Sequence, residues 1–255
     1  MTSDYIATLA YNALLAEVEA TPKPGLVDKN NNGAHSDMCL EHFVLSANAI
    51  KPYFEKMCLA KNDELRNIGI AAENAMLLAT GGVNTHKGAI YSLGLLCTSA
   101  YRMQSLGIND ICSYSSRLAK VLNSNSIAGD THGSAVFRLC GAKGARGEAE
   151  SGFESAIKYG LPAYKRYILE DGLQIAAVKA LLTLMENVRD TNVISRGGLD
   201  GERFVMKRSA EVLNDFSVDG VLELDNQLIE RNLSPGGCAD LLAVTIFLYN
   251  LEKGA

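Results

Sequence analysis

Five segments of the chain combine glycine with charged or hydrogen-bonding side chains, and these are the places where the sequence could do chemistry. Glycine permits tight turns and lets a ligand approach the backbone closely. Any one of the segments is typical of an ordinary helix-connecting turn, but all five together predict a binding site. They span residues 17–38, 80–88, 129–134, 141–153, and 192–198 with 233–240 behind it.

Two glycine pairs favour the binding of phosphate. Gly81–Gly82 and Gly236–Gly237 lie where helices are predicted to start, and free N–H groups at a helix start attract anions. Lys87 and Arg196 add positive charge nearby. The spacing matches neither a P-loop nor a Rossmann fingerprint, so the residues predict an anion site without a familiar nucleotide-binding motif.

Histidine spacing disfavours a zinc site. His35, His86 and His132 fall inside the glycine-rich segments, whereas His42 lies on a predicted helix and is expected at the surface or in packing. None of the first three shows the HxxxH spacing by which one helix face presents two zinc ligands.

Carboxylates are the better metal candidates, and oxygen ligands suit Mg²⁺. Asp28 and Asp37 flank an asparagine-rich turn, and Glu17 and Glu19 end the preceding helix. Asp28 is equally typical of a turn or cap residue, and Glu19 of a solvated helix end. The sequence therefore predicts a magnesium site with these alternatives open.

Proton transfer could be carried by Asp130, His132 or Glu148, each of which lies in a glycine-rich segment. Arg146, two residues before Glu148, could hold a phosphate or pair with a carboxylate. No serine of these segments sits in a G-x-S-x-G elbow, which disfavours a serine hydrolase.

The elements that must position these residues are helices, because apolar residues recur with the helical period. Two further segments, residues 87–103 and 235–251, have the small and apolar composition of buried helices, the second with Ser234 as cap and Pro235 in its first turn. We therefore expect an all-α fold, a single-domain compact multi-helix bundle over residues 1–255, with glycine-rich loops forming the active site. The periodic stripes are Ile6, Leu9, Ala10, Ala13 and Leu14; Phe43, Ala47, Ile50, Phe54 and Met57; Ile111, Tyr114, Leu118 and Leu122; and Ile175, Val178, Leu182 and Met185.

Charge and hydropathy exclude several classes of protein. The net charge is −5 and no long basic run occurs, so nucleic-acid binding is not expected. No signal peptide is evident, and the longest apolar stretch, residues 241–249, is too short to span a bilayer. We expect no membrane contact and a cytoplasmic location. Six cysteines without a CxxC pair then favour free thiols.

At the glycine-rich segments the sequence closely resembles the triphosphoribosyl-dephospho-CoA synthase family. The similar stretches occur in the family's order and extend over nearly the whole chain. Each is weak alone, but the ordered set is highly specific. The stretches are TPKPGLVD with GAHSDM, TGGVNTHKGAI, THG, GARGEAESGF, NVISRGG and LSPGGCADLLA.

The resemblance implies an all-helical enzyme that joins ATP to 3'-dephospho-CoA and releases adenine. The implied product, 2'-(5''-triphosphoribosyl)-3'-dephospho-CoA, is the prosthetic-group precursor for the acyl-carrier protein of citrate lyase or malonate decarboxylase. A holo-acyl-carrier-protein transferase would receive it as partner. The chain's residues do not distinguish the two pathways.

The implied reaction suggests hypotheses for the roles of polar residues in the glycine-rich segments. A triphosphate needs cations to hold it, and transfer at the ribose needs a base for the hydroxyl and an acid or hydrogen bond for adenine. Asp130 or Glu148 is the expected base, and His132 or His86 assists adenine departure. Phosphate contacts are expected from Lys23, Gly81, Gly82, Asn84, Lys87, Arg146, Arg196, Gly236 and Gly237, and Mg²⁺ contacts from Asp28, Asp37 and His35.

Three other functions remain open at the level of sequence. A magnesium-dependent glycohydrolase of a nucleotide or ADP-ribose would use the same scaffold with water as acceptor. A related transferase could use another acceptor, and a non-catalytic protein could bind ATP without consuming it. A homo-oligomer is also compatible with the pattern, since a buried helix face and an interface face have the same composition.

Overall fold

The computed structural model describes residues 1–104, 107–124, 142 and 144–254. Within these ranges the protein consists of helices and connecting turns, with no strand, which confirms the all-α prediction. A π-helical turn, Ala156–Gly160, leads directly into α7. The α-helices are α1 Ser3–Glu19, α2 Leu40–Leu59, α3 Asn62–Ala79, α4 Lys87–Met103, α5 Ile108–Ser124, α6 Gly144–Ser151, α7 Leu161–Asn187, α8 Thr191–Asn214, α9 Val218–Glu230 and α10 Gly236–Lys253.

The centre of the bundle is formed by α4 and α10. Helix α10 packs against α1, α4, α7 and α8, and α4 packs against α1, α2, α5 and α6. Almost every residue between Ser92 and Ala100 is buried, as is the run from Leu241 to Leu248. Small residues such as Gly94 let neighbouring helices approach closely, since a Cβ there would lie 2.4 Å from Met57 Sδ. One continuous hydrophobic core therefore links α1 to α10.

Two glycines break long helices. Gly172 interrupts α7 with φ +80°, and Gly198 interrupts α8 with φ +62°, a region that favours glycine. Two segments that were predicted as loops are helical. Residues 192–198 lie in α8, and Asp190 caps the first turn of this helix by accepting the N–H of Asn192 at 2.8 Å. Residues 144–151 form α6.

The start of α10 also differs from the expectation. Pro235 occupies the cap position, and the Ser234 hydroxyl lies 2.8 Å from His35 Nε2 rather than capping the helix. The amide of Cys238 in the first turn is satisfied from outside α10, by the carboxylate of Asp190 at 2.8 Å. The helix is thus capped by another helix's residue.

The cysteine and membrane expectations can be compared with the described part of the chain. Cys39, Cys58, Cys97, Cys112 and Cys238 are free thiols, and all but Cys39 are buried. Cys140 lies outside the described residues. Among the described helices, none is long and apolar enough to cross a membrane.

Candidate active site

Charged groups, most of them buried, gather where the end of α1 and the starts of α4, α8 and α10 meet. Glu17 lies in the last turn of α1, and Lys23 lies in the segment that follows, residues 20–38, which we call the strap. Asp190 caps α8, and Asp240 lies in the first turns of α10. We call Glu17, Asp190 and Asp240 the acidic cluster, because the charges of Glu17 and Asp190 both raise the pKa of Asp240.

Asp240 reaches from α10 to the start of α4. Its carboxylate accepts the backbone N–H of Ala89 and lies so close to Gly88 that a Cβ there would be 2.0 Å from Oδ2. Burial first, and then Glu17 and Asp190, raise the pKa of Asp240 well above its usual value. The start of α4 is therefore capped by a carboxyl that holds a proton more tightly than normal.

Asp190 caps the start of α10, as Asp240 caps the start of α4. It accepts N–H groups from Asn192, Val193 and Cys238, so it caps α8 and α10 together. Its pKa is raised because burial outweighs these hydrogen bonds. Since a carboxylate fills the anion position at the start of α10, this helix end offers little room for a phosphate.

Gly236 and Gly237 are explained by these contacts. A Cβ at Gly237 would lie 3.0 Å from Asp190 Oδ2, and one at Gly236 would lie 2.7 Å from Asn192 Nδ2. The glycines therefore make room for α8 side chains. Phosphate binding by their amides stays a prediction.

Lys23 is buried and paired with a carboxylate. Its ammonium is 2.6 Å from Glu17 Oε1, and both side chains are at most 5% exposed. The predicted phosphate contact of Lys23 stays a prediction, and in the described structure its charge neutralises Glu17. It leaves Asp190 and Asp240 without a bonded cation among the described residues.

Asp28 is a turn residue, the alternative that the sequence left open. Oδ2 accepts Lys23 N at 2.7 Å, and Oδ1 accepts Asn30 N at 2.7 Å and Asn31 N at 3.2 Å. These bonds fold the strap onto itself. They use both carboxylate oxygens, which leaves Asp28 poorly suited to bind Mg²⁺.

His35 and Arg196 tie the strap to α8. His35 Nε2 lies 2.8 Å from Ser234 Oγ, and Arg196 donates to Ala34 O at 2.7 Å and approaches His35 Nδ1 at 3.3 Å. Burial, followed by the Arg196 charge, lowers the pKa of His35. Arg196 is thus engaged with protein groups, and its predicted phosphate contact stays untested.

The predicted metal ligands Asp28, His35 and Asp37 are not assembled as a metal site. Asp37 is 66% exposed and lies 3.7 Å from His35 Nδ1. In the described part of the chain, no group of three or more His, Cys, Asp or Glu side chains is arranged to hold a metal ion. A magnesium ion held by the described residues alone would need further ligands, which this ion commonly takes from water and substrate phosphates.

His86 stands at the start of α4 and differs from the other described histidines, His35 and His42, in having a buried nitrogen without a described partner. Nδ1 lies 2.7 Å from Ser46 Oγ, and Nε2 has no partner among the described residues. Burial and the nearby Lys23 charge lower the pKa of His86 to about 3. The imidazole is neutral near pH 7, so it can offer adenine a hydrogen bond but not the proton of an imidazolium.

The turn before α4 is the most open part of the site. Gly81 and Gly82 have φ of +65° and +98°, and a Cβ on either would meet nothing within 4 Å. Asn84 Oδ1 accepts Lys87 N at 3.3 Å. Lys87 is half exposed and pairs with Glu73 at 2.9 Å, so its ammonium is accessible to an incoming phosphate.

Helix α6 places Glu148 near the acidic cluster, since its charge raises the pKa of Cys238. Glu148 Oε1 accepts the Ser155 hydroxyl at 2.6 Å, and burial raises the pKa of Glu148. Arg146 on the same helix is exposed. Asp130 and His132 lie outside the described residues.

Comparison with known proteins bears on this site. The model of a family described as ATP:dephospho-CoA triphosphoribosyl transferase (CitG) matches residues 3–255. The chain belongs to this family. The match covers every described element that contributes to the acidic cluster.

Individual relatives agree with the family match. The chain is 41% identical to 2-(5''-triphosphoribosyl)-3'-dephosphocoenzyme-A synthase of Klebsiella pneumoniae, over 100% of this chain and 93% of the relative. It is 40% identical to the synthase of the same name from Escherichia fergusonii, over 98% and 91%. A solved Archaeoglobus fulgidus structure, named for triphosphoribosyl-dephospho-CoA synthase, shares the fold with a TM-score of 0.61 at 18% identity, over 81% of this chain and 97% of that one.

Sequence reasoning missed three residues of this transferase-family site. Asp240 lies inside a stretch that was singled out, LSPGGCAD, where only the glycines were assigned. Asp190 precedes Thr191 and has the pattern of a helix cap, and Ser46 lies on an ordinary amphipathic helix. No local signal shows that a cap residue also serves a second helix, so Asp190 could be found only from the fold.

Proposed function

We propose that this chain transfers the 5-triphosphoribosyl group of ATP to the 2'-hydroxyl of 3'-dephospho-CoA and releases adenine. The family match over residues 3–255 supports the reaction, and the acidic cluster is the structural observation that supports its place. Burial raises the pKa of both Asp190 and Asp240, and for Asp240 the charges of Glu17 and Asp190 add to that rise. Such a site favours a cationic ligand, and Mg–ATP brings one.

In this reaction the bond between ribose C1' and the adenine nitrogen breaks, and a bond from the acceptor oxygen to C1' forms. The sugar passes through a state with positive charge, as in glycoside hydrolysis. Carboxylates beside C1' stabilise that charge. We assign this electrostatic role to Asp240, which is only partly buried, with Glu17 and Asp190 behind it.

A base must accept the proton of the acceptor hydroxyl. A carboxyl group with a raised pKa is a stronger base once ionised, and Glu148 has this property because it is largely buried. Glu148 is our candidate among the described residues, and Asp130 remains the alternative. A neutral His86 would offer adenine a hydrogen bond as it leaves.

The donor set fits Mg²⁺. This ion usually takes one or two protein carboxylates and completes its shell with water and substrate phosphates. Asp240 supplies an oxygen donor of that kind, whereas Glu17 is paired with Lys23 and both oxygens of Asp28 accept backbone N–H groups. The ion would neutralise charge on the triphosphate, which the proposed reaction leaves intact.

Positive side chains near the open turn would hold the triphosphate. Lys87 and Arg146 are exposed enough to meet it, and the Gly81–Gly82 turn leaves space beside α4. Because the phosphates are carried through to the product, these contacts act as a handle and not as leaving-group stabilisers.

Mass spectrometry of the products of ATP, Mg²⁺ and 3'-dephospho-CoA tests the reaction. We expect free adenine and a species with the mass of triphosphoribosyl-dephospho-CoA, in equal amounts. Adenine released at the same rate without dephospho-CoA would instead support the glycohydrolase. A different acceptor is indicated if ATP binds but only another hydroxyl compound yields a product.

The cellular context follows from the same chemistry. The product would pass to a holo-acyl-carrier-protein transferase for citrate lyase or malonate decarboxylase, in the cytoplasm, where ATP and dephospho-CoA are made. Incubation of the product with each apo-carrier protein and its transferase distinguishes the two pathways. The carrier protein that gains the mass of the prosthetic group identifies the pathway. Light scattering on a sizing column tests whether the chain forms a homo-oligomer, which its sequence pattern allows.

A further inference from the structure

Ser46 and His86 form a buried pair that the proposed reaction does not by itself explain. Ser46 Oγ lies 2.7 Å from His86 Nδ1, and Ser46 is fully buried on α2. Within the described ranges its hydroxyl has no other hydrogen-bond partner. The pair therefore links α2 to the residue that starts α4.

The geometry determines which atom of the pair donates. If Nδ1 carried the hydrogen and donated to Oγ, the buried serine O–H would have no acceptor, which is costly. If Ser46 donates to Nδ1, both groups are satisfied. Thr85 Oγ1, at 3.5 Å from Nδ1, is too distant to reverse this preference.

The other ring nitrogen then carries the hydrogen. His86 is neutral because burial and Lys23 lower its pKa to about 3, and a neutral imidazole with an unprotonated Nδ1 has its proton on Nε2. Nε2 is buried and has no partner among the described residues. An N–H donor in this position requires an acceptor that the described chain does not supply.

Phe43 is the only described ring packed on His86, with centroids 5.2 Å apart and planes at 89°. An N–H directed at an aromatic face is a weak substitute for a hydrogen bond. Phe43 is partly exposed, so its side chain could swing away when a ligand enters. It therefore does not remove the need for an acceptor.

We propose that Ser46 is a positioning residue that holds His86 as its Nε2–H tautomer, and that this N–H donates to a lone pair of the ATP substrate. The second half of the inference rests on the proposed function. The acceptor is either a purine nitrogen or a phosphate oxygen, since both have lone pairs and both enter with ATP.

Nitrogen NMR of ¹⁵N-histidine-labelled protein tests the tautomer directly in the ligand-free state. The chain has four histidines, and His86→Gln identifies the signals of His86 by their loss. At pH 7 we expect Nδ1 to appear unprotonated and Nε2 protonated.

The variant Ser46→Ala should shift the two nitrogen signals toward a mixture of tautomers. The control is Ser99→Ala, which should leave them unchanged, because Ser99 is a buried serine bonded to Leu95 O at 2.7 Å. An Nδ1–H tautomer in the wild type, or no response to Ser46→Ala, overturns the assignment.

Ligand titration in the same spectra tests the acceptor. We expect ATP to shift the Nε2–H signal. A matching shift with tripolyphosphate assigns the acceptor to phosphate, and one with adenosine assigns it to the nucleoside. If calorimetry shows that ATP binds while the Nε2–H signal stays unchanged, the ligand half of the inference is overturned.

Kinetics supply a readout that a structural role would not move. The Ser46→Ala variant should lose on the order of tenfold in kcat/KM, about the effect of one hydrogen bond, with Ser99→Ala near wild type. His86→Gln can place an amide N–H near the Nε2 position and should keep more activity than His86→Asn. Equal activity of the two variants contradicts a role for Nε2–H.

Failure to form the triphosphoribosyl product at all would refute the proposed function while leaving the ligand-free NMR result unaffected.

Discussion

At the scale of single residues, the site is a set of carboxyl groups whose charge the described protein groups only partly neutralise. Lys23 pairs with Glu17, but Asp240 and Asp190 have no bonded cation among the described residues, and their pKa values are raised. Folding thus retains an unfavourable arrangement of charge, and such arrangements occur where a ligand is bound.

The variant Asp240→Asn tests whether that arrangement serves function and not folding. Asparagine keeps an oxygen for Ala89 N–H but removes the repulsion from Glu17 and Asp190. We expect thermal stability equal to or above wild type, with adenine release reduced roughly a hundredfold, as when a positioned electrostatic group is lost. Asp215→Asn, at an exposed position, is the control. Wild-type turnover in Asp240→Asn would show that this carboxylate does not act in the reaction.

His86 makes a separate prediction about acid stability. Its pKa falls from 6.5 to about 3 on folding. Between these two pH values the imidazole binds a proton in the unfolded chain but not in the folded chain. The resulting stability is present above pH 6.5 and is lost as pH falls toward 3, by about 2 kcal/mol at pH 5.

The measurement is the free energy of urea unfolding at pH 7 and pH 5, for wild type and for His86→Gln. Glutamine does not titrate, so the difference between the two proteins isolates the imidazole from carboxyl groups that titrate in the same range. An equal loss in both proteins would mean that His86 is accessible to protons in the folded state.

The sequence offers residue types suited to the site, but the contacts of those residues depend on the fold. The turn alternative for Asp28 is what the structure shows, and Lys87 is half exposed. The pairing of Lys23 was not predicted, because no local pattern shows that Glu17, six residues earlier, turns inward to meet it. Burial of a charged pair depends on tertiary packing, which the sequence of the strap alone does not encode.

At the scale of elements, the starts of α4 and α10 are capped by carboxylates from outside each helix. Asp240 on α10 caps α4, and Asp190 at α8 caps α10. Each contact requires a glycine, because Gly88 and Gly237 lie against the incoming carboxylates. The small and apolar composition of the sequence predicts a helix over about residues 87–103, where α4 lies, but it does not reveal what satisfies the first turn.

Gly88→Ala is a prediction at this scale. The new methyl would lie 2.0 Å from Asp240 Oδ2, so the carboxylate must leave Ala89 N–H. We expect a loss of about 1–3 kcal/mol in stability, typical of overpacking, together with a fall in turnover. Gly69→Ala on α3, whose nearest neighbour is Met57 Cε at 3.9 Å, should instead gain about 0.5–1 kcal/mol. Chemical denaturation and adenine release measure both variants, and equal effects on stability would contradict the clash.

The helices themselves were predictable because burial imposes a period on their sequences, whereas their interruptions were not. Residues 192–198 contain two glycines and read as a loop, yet α8 begins at Thr191 and is interrupted only at Gly198. Asp190 stabilises this first turn and so offsets the low helix propensity of glycine. The sequence offers both readings, and the choice depends on packing.

At the scale of the whole molecule, the strap closes one side of the bundle by contacts with distant elements. Asp225 on α9 accepts Gly25 N at 2.8 Å and Asn31 Nδ2 at 2.7 Å, with Asp225 only 2% exposed. Arg196 holds the other end of the strap through Ala34 O. Lys23 lies two residues before Gly25, the first of these anchors, so holding the strap also helps to position the ammonium that neutralises Glu17.

The variant Asp225→Ala should therefore affect the site although Asp225 is not a member of the acidic cluster. Two buried hydrogen bonds are lost and their donors stay unpaired, so we expect about 3 kcal/mol of destabilisation. Hydrogen exchange should rise first across residues 20–38, and KM for ATP should rise more than kcat falls, because a loosened strap lets Lys23 leave Glu17. Glu230→Ala, exposed at the end of the same helix, should change none of these. Faster exchange spread evenly over all the helices would show global destabilisation instead, and would separate the strap from the organisation of the site.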